Sequence, residues 1–179
     1  MRTMRPLLSP ATENHPPQRW ATAACWAAFC SALPSAAWRL AMLSGVETGF
    51  SQTASYRGST TGTAYVLGLE LAQVGSAALS LGLCSRWGEQ VPRWVPGVGG
   101  RALPRLLPLV VGGTGNVVLY VVIGGTTAVL ASRWLGLAQG WTPTAGMSSG
   151  QVAVLAAAYA PALLWPPALT VALVGYARR

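Results

Sequence analysis

The chain has 179 residues, of which 52% are hydrophobic and only 9% charged, with a mean hydropathy of +0.43. Soluble domains carry about 25% charged residues, so a chain this apolar has too little polar surface to stay monomeric in water. All twelve basic residues behind the net charge of +8 are arginine, and Lys and Asp are absent. With its high Ala, Gly and Pro content, that choice fits GC-rich coding. A basic balance raises the question of nucleic acid. The chain has no helix-turn-helix pattern, no zinc-finger spacing and no basic face on a soluble helix. Its arginines stand at the ends of apolar runs, where membrane topology and anionic lipid headgroups account for them.

Residues 1–19 form a polar, proline-bearing tail with Arg2, Arg5 and Arg19, expected to be disordered and cytoplasmic. The first apolar run, about 20–43, reaches the ~20 residues that a span needs. Pro34 is expected to kink it, and Arg39 sits near its far end. The run can also be read as a signal peptide. Trp20–Leu33 would be its apolar core and Ser35-Ala36-Ala37 its cleavage site, with Arg39 just after. The long preceding tail and the continuation through Trp38 and Leu40 favour a retained helix. Residues 44–62 are rich in Gly, Ser and Thr without a helical period, so an external loop is expected.

A second span is expected over about 63–84. After it comes the most charged stretch of the chain, Ser85 to Arg105, with Arg86, Arg93, Arg101 and Arg105 against Glu89 alone. Pro92, Pro96 and Pro104 rule out a regular helix there. Such a basic loop suits contact with anionic headgroups and leaves room for a short interfacial turn around Trp87 and Trp94. A third span, about 106–132, is glycine-rich, which membrane helices tolerate because it lets backbones approach. Residues 133–150 read as a second external loop. The fourth span, about 151–176, is interrupted by Pro161, Pro166 and Pro167, and residues 177–179 end the chain on the cytoplasmic side. The fold class is therefore an all-α integral membrane bundle of four transmembrane helices.

The arginines set the orientation. Arg2, Arg5, Arg19, Arg86, Arg93, Arg101, Arg105, Arg178 and Arg179 fall on one side, and Arg39, Arg57 and Arg133 on the other. The positive-inside rule places the first group, and so both termini, in the cytoplasm of a cell (inner) membrane protein. Trp20, Trp87, Trp94, Trp134 and Trp141 lie near span ends, as an aromatic belt requires. The two hairpins also end their first helices on Trp38-Arg39 and Arg133-Trp134, a faint hint of duplication.

Glu70 is the sharpest residue. It lies about seven residues into the second span, roughly 10 Å below the boundary, where an ionised carboxylate needs a partner. Arg39 lies at matching depth if the two helices are adjacent and antiparallel. Thr63, Glu70, Gln73, Ala77, Ser80 and Cys84 recur at helical spacing as one small or polar face. Gly112, Asn116, Tyr120, Gly124 and Thr127 make a similar face on the third span. Gln73, Asn116 and Tyr120 are thus expected to form one polar seam with the Arg39–Glu70 pair. The pair either locks helix register or belongs to a proton, ion or small-ligand path.

Two motif matches fail in context. Gly146-Met147-Ser148-Ser149-Gly150 fits G-x-S-x-G, but it lies in a loop, the chain has no Asp, and its one histidine, His15, is in the tail. Gly97 to Ala102 fits G-x-G-x-x-A, but no strand precedes it. Cys25, Cys30 and Cys84 show no metal spacing and read as small buried hydrophobes. No catalytic residue, metal site or cofactor is expected. The expected partners are the bilayer with its anionic headgroups and either a second copy or another membrane protein.

The stretches PSAAWRLAM (34–42) and RWGEQVPRWVPGVGGRALP (86–104), with the apolar span between them, resemble a group of small multi-span membrane proteins from actinobacteria. The resemblance runs from the first span to the start of the third. It implies a membrane protein and carries over no activity, substrate or site residue. Taken together, the sequence points to a non-enzymatic structural or accessory membrane component, with a small oligomeric transporter or channel using Glu70 as the alternative.

Overall fold

The structure is a computed structural model that describes residues 18–85, 88, 90, 96 and 99–178. The tail with Arg2, Arg5 and His15 lies outside the described residues, as do Arg86, Trp87, Glu89, Arg93, Trp94 and Arg179. The described residues are helical, without a strand. One isolated antiparallel bridge, Gln90 to Ala102, closes the central loop on itself. Arg101 and Arg105 in that loop are exposed.

The helices are α1 (Arg19–Ser44), α2 (Thr53–Arg57), α3 (Thr60–Gly82), α4 (Leu106–Leu119), α5 (Gly125–Trp134), α6 (Ser149–Tyr159) and α7 (Trp165–Ala177). A π turn, Tyr120–Gly124, joins α4 to α5, and a 3-10 turn, Ala160–Leu164, joins α6 to α7. With these joints, Leu106–Trp134 and Ser149–Ala177 each run on as one helix of 29 residues. These two and α3 are the three helices long and apolar enough to cross a membrane. α1, at 26 residues, is long enough but less apolar, because Thr22, Ser31, Pro34, Ser35 and Arg39 dilute it.

Local chemistry explains where the helices start and stop. α1 ends at Gly45, whose φ of +113° is open to glycine, and the N–H of Val46 reaches back to the Ala41 carbonyl at 3.1 Å. Ser59 caps α3 by accepting from the Gly62 N–H at 3.0 Å. The G-x-S-x-G stretch has the same job. Ser148 and Gln151 form a reciprocal capping box at the start of α6. Pro166 and Pro167 have no N–H for the carbonyls of Ala162 and Leu163, and the chain tightens to 3-10 geometry there before α7 begins.

α1 is the middle of the bundle. It packs against α3 on one side and α7 on the other, and α7 in turn packs against α4. The buried face of α1 is Ala21, Ala24, Cys25, Ala28, Ser31, Ala32, Ser35 and Ala36, small residues at helical spacing that let two neighbours approach at once. The closest approach is at Gly175, where any side chain would run into Ala21. Met42, Cys25 and Ser35 are the largest fully buried side chains, so the core is narrow.

Several expectations need correction. The 44–62 loop contains a short helix, α2, and α3 begins at Thr60, three residues before the expected start. Of the three cysteines only Cys25 is buried. Cys30 is exposed and Cys84 half-buried. Five residues place Cys30 on the opposite side of α1 from the face that meets α3 and α7.

Candidate functional site

Arg39 enters from α1, one turn beyond Ser35, and Glu70 and Gln73 enter from α3, three residues apart on one face. The structure brings all four together. Arg39 donates through Nε to Glu70 Oε1 and through Nη2 to Gln73 Oε1. Gln73 in turn donates through Nε2 to the Ala32 carbonyl at 2.7 Å and to Ser35 Oγ at 2.9 Å. Ser35 donates to the Ala32 carbonyl at 3.2 Å. Gln73 is therefore both acceptor for the cation and donor to the α1 backbone, and it ties the ion pair to the helix that carries Arg39. Lower down, the Ser80 hydroxyl, which gives its hydrogen to the Ala77 carbonyl at 2.5 Å, lies 3.4 Å from the Cys25 carbonyl across the α1–α3 interface.

The carboxylate is the better hidden partner. The Glu70 side chain is 7% exposed and that of Arg39 18%. Glu70 Oε2 is buried and accepts no hydrogen bond. Glu70 lies ten residues into α3, about 15 Å from its start at 1.5 Å per residue. The guanidinium carbon of Arg39 sits 5.8 Å from the ring centre of Tyr159, at the end of α6. Tyr159 makes an edge contact with Trp38 at 5.7 Å, Trp38 another with Phe50 at 6.0 Å, and Phe50 another with Trp141 at 5.8 Å. Stacked contacts continue to Tyr56 and Tyr65. An aromatic cluster from α1, α2, α3, α6 and two loops thus covers the ion pair on the side of the 44–59 and 135–148 loops. Trp141, expected in the interfacial belt, is one of its members.

No protein family, curated protein or solved structure matches this chain. The site must therefore be read from its own chemistry.

Asn116 and Tyr120 belong to a different interface. Asn116 Nδ2 donates to Thr170 Oγ1 at 2.7 Å, and Tyr120 Oη meets the same oxygen at 3.2 Å. Thr170 gives its hydrogen to the Pro166 carbonyl at 3.0 Å, so the Tyr120 hydroxyl is the donor. This cluster ties α4 to α7, whereas Gln73 ties α3 to α1. The expected single seam is two separate polar clusters, because α1 and α7 lie between α3 and α4.

Ser35, Tyr159 and Thr170 escaped the sequence reading. Ser35 carried a signal, since it is four residues before Arg39 and so on the same helix face. Tyr159 and Thr170 sit alone in apolar runs, and only the packing of helices far apart in sequence assigns them partners. Among the described residues, no three His, Cys, Asp or Glu side chains gather to hold a metal ion. The arrangement can hold two helices in register.

Proposed function

We propose that this chain is a multi-pass protein of the cytoplasmic membrane and acts there as a non-enzymatic structural or accessory component. Its four crossing segments are α1, α3, the α4–α5 helix and the α6–α7 helix, with both termini on the cytoplasmic side. α1 is retained in the mature protein and crosses as the central helix, shielded from lipid on two sides by α3 and α7. The arginine asymmetry supports the orientation.

The observation that carries the accessory role is the Arg39–Glu70–Gln73–Ser35 network. Its hydrogen bonds join the four side chains to one another and to the α1 backbone. Such cross-linking fixes helix register in a medium where an unpaired charge is costly. A reporter fused after Arg179 should be active only in the cytoplasm, and periplasmic activity would overturn the topology. N-terminal sequencing of the purified protein should find residues before Trp38. Pull-down of the tagged full chain should recover a fixed membrane partner, and reconstituted protein should show no ion or proton flux.

One observation favours a second reading, a small oligomeric transporter or channel. Glu70 Oε2 is buried with no donor, so the carboxyl has room for a proton. Proton-coupled flux in proteoliposomes that is lost in Glu70→Gln would select this reading over the first.

A further inference from the structure

The α4–α5 and α6–α7 helices run antiparallel, but they pack together along only half their length. Gly112 lies against Leu173, and Asn116 donates to Thr170. Each helix leaves α geometry near its midpoint, in the Tyr120–Gly124 π turn and the Ala160–Leu164 3-10 turn, and the two turns touch. Beyond them the pair splits. α6 stays packed on α1, whereas α5 packs closely only on the π turn before it and buries no residue. The split opens into a cleft of about 1330 Å³.

The two sides of the split match. The antiparallel register of Gly112 with Leu173 and Asn116 with Thr170, carried on, sets Ile123 opposite Leu163, Thr126 opposite Tyr159 and Ala160, and Leu130 opposite Ala156. All of these line the cleft, so the faces that would meet are the ones already turned toward it. Ala156 and Ala160 offer the small residues against which membrane helices pack closely. The Thr126 and Thr127 hydroxyls have no hydrogen-bond partner among the described residues. The π turn runs straight into Gly124-Gly125, and helices bend at both kinds of feature. An added Cβ at either glycine meets nothing within 4 Å, so packing does not require them. We propose that α5 is a lid, which swings about the Tyr120–Gly124 turn and packs onto α6 in this register, closing the cleft over Arg39 and Tyr159. In the bilayer setting proposed above, acyl chains solvate the open cleft and leave it as it shuts. Tyr159, 36% exposed with α5 apart, is covered by Thr126 when α5 closes. Arg133 at the end of α5 donates to the Trp141 carbonyl at 2.6 Å, which ties the lid to the aromatic cluster over the ion pair.

The test uses the full chain in proteoliposomes, with Cys30 and Cys84 changed to Ala and the buried Cys25 kept. Mild oxidation should join Leu130→Cys to Ala156→Cys within one chain, at least about tenfold faster than Val129→Cys to Ala156→Cys. Only the first pair shares the closing face, and a disulfide needs Cβ atoms ~4 Å apart. Gly124→Ala with Gly125→Ala stiffens the hinge without a clash and should slow that cross-link by about fivefold or more. Spin labels at the exposed positions Val129 and Val154 should report two separations, with the shorter one lost in the double-alanine variant. If the paired-cysteine variant does not fold, the spin-label separations still decide. A single separation unchanged by the two alanines, or equal rates for the two cysteine pairs, would overturn the proposal. So would a cross-link between two chains, which would assign the cleft to a second copy.

Discussion

α1 and the α4–α5 helix are of similar length, 26 and 29 residues, yet they meet their surroundings in opposite ways. α1 buries nine residues, mostly Ala, Ser and Cys, between α3 and α7. The α4–α5 helix is rich in Val, Leu and Gly and buries Asn116 alone. The more apolar helix is therefore the less buried one. In water that would be a contradiction, since burial follows hydrophobicity. In lipid it is expected, because the acyl chains solvate Val and Leu as well as protein does. Association then depends on close packing of small residues and on polar links. The difference teaches that in this fold small residues mark the faces turned to protein, and the most apolar helix keeps its Val and Leu on the outside, as the proposed membrane setting requires.

Four substitutions break or sharpen that comparison. The largest effect is expected from Glu70→Leu, which leaves Arg39 unpaired at the α1–α3 interface. It should cost about 3–5 kcal/mol, and Arg39→Met in the same chain should recover most of it, because the loss is that of an uncompensated buried charge. Thermal unfolding in detergent of both single variants and the double variant measures this. A double variant no more stable than Glu70→Leu would show that the ion pair is not what couples the helices.

Next is Ala28→Leu. Ala28 is 0% exposed on the central face of α1, and added bulk there should cost about 1–3 kcal/mol in the same melt. Asn116→Ala, which removes the link from α4 to Thr170, should cost about 0.6 kcal/mol, the typical worth of one interhelical hydrogen bond in a membrane protein. The smallest effect belongs to Val117→Leu on the exposed side of α4. It should fall within about 0.5 kcal/mol of wild type. If Val117→Leu cost as much as Ala28→Leu, the α4–α5 helix would have a protein neighbour on that face in the membrane.

Much of the fold was legible in the residues. Apolar runs of sufficient length put every long helix within three residues of its observed ends, because the period and the flanking Gly, Pro and Ser are local signals. The Arg39–Glu70 contact was legible too, since a carboxylate and a guanidinium at matching depth in neighbouring spans have few other partners. α2 was missed because five residues, Thr53–Arg57, are too short to show a helical period. The split of the polar seam was missed for another reason. Spacing along one helix tells which residues share a face, but not which helix that face meets. Asn116 and Gln73 carry the same kind of signal and go to different neighbours.

The sequence by itself determined composition, helix length and caps, because these depend on contacts within a few residues and on the apolar content of each run. It also supplied the arginine asymmetry and a carboxylate, Glu70, inside a long apolar run. Only the tertiary structure decided that α1 is the central helix, that Gln73 and Ser35 complete the Arg39–Glu70 network, and that an aromatic cluster covers it. The α3 to α4–α5 cleft is likewise a product of helix order. These features join residues from about 30 to more than 150 positions apart, and no local pattern in the chain specifies which of several similar apolar helices packs beside which.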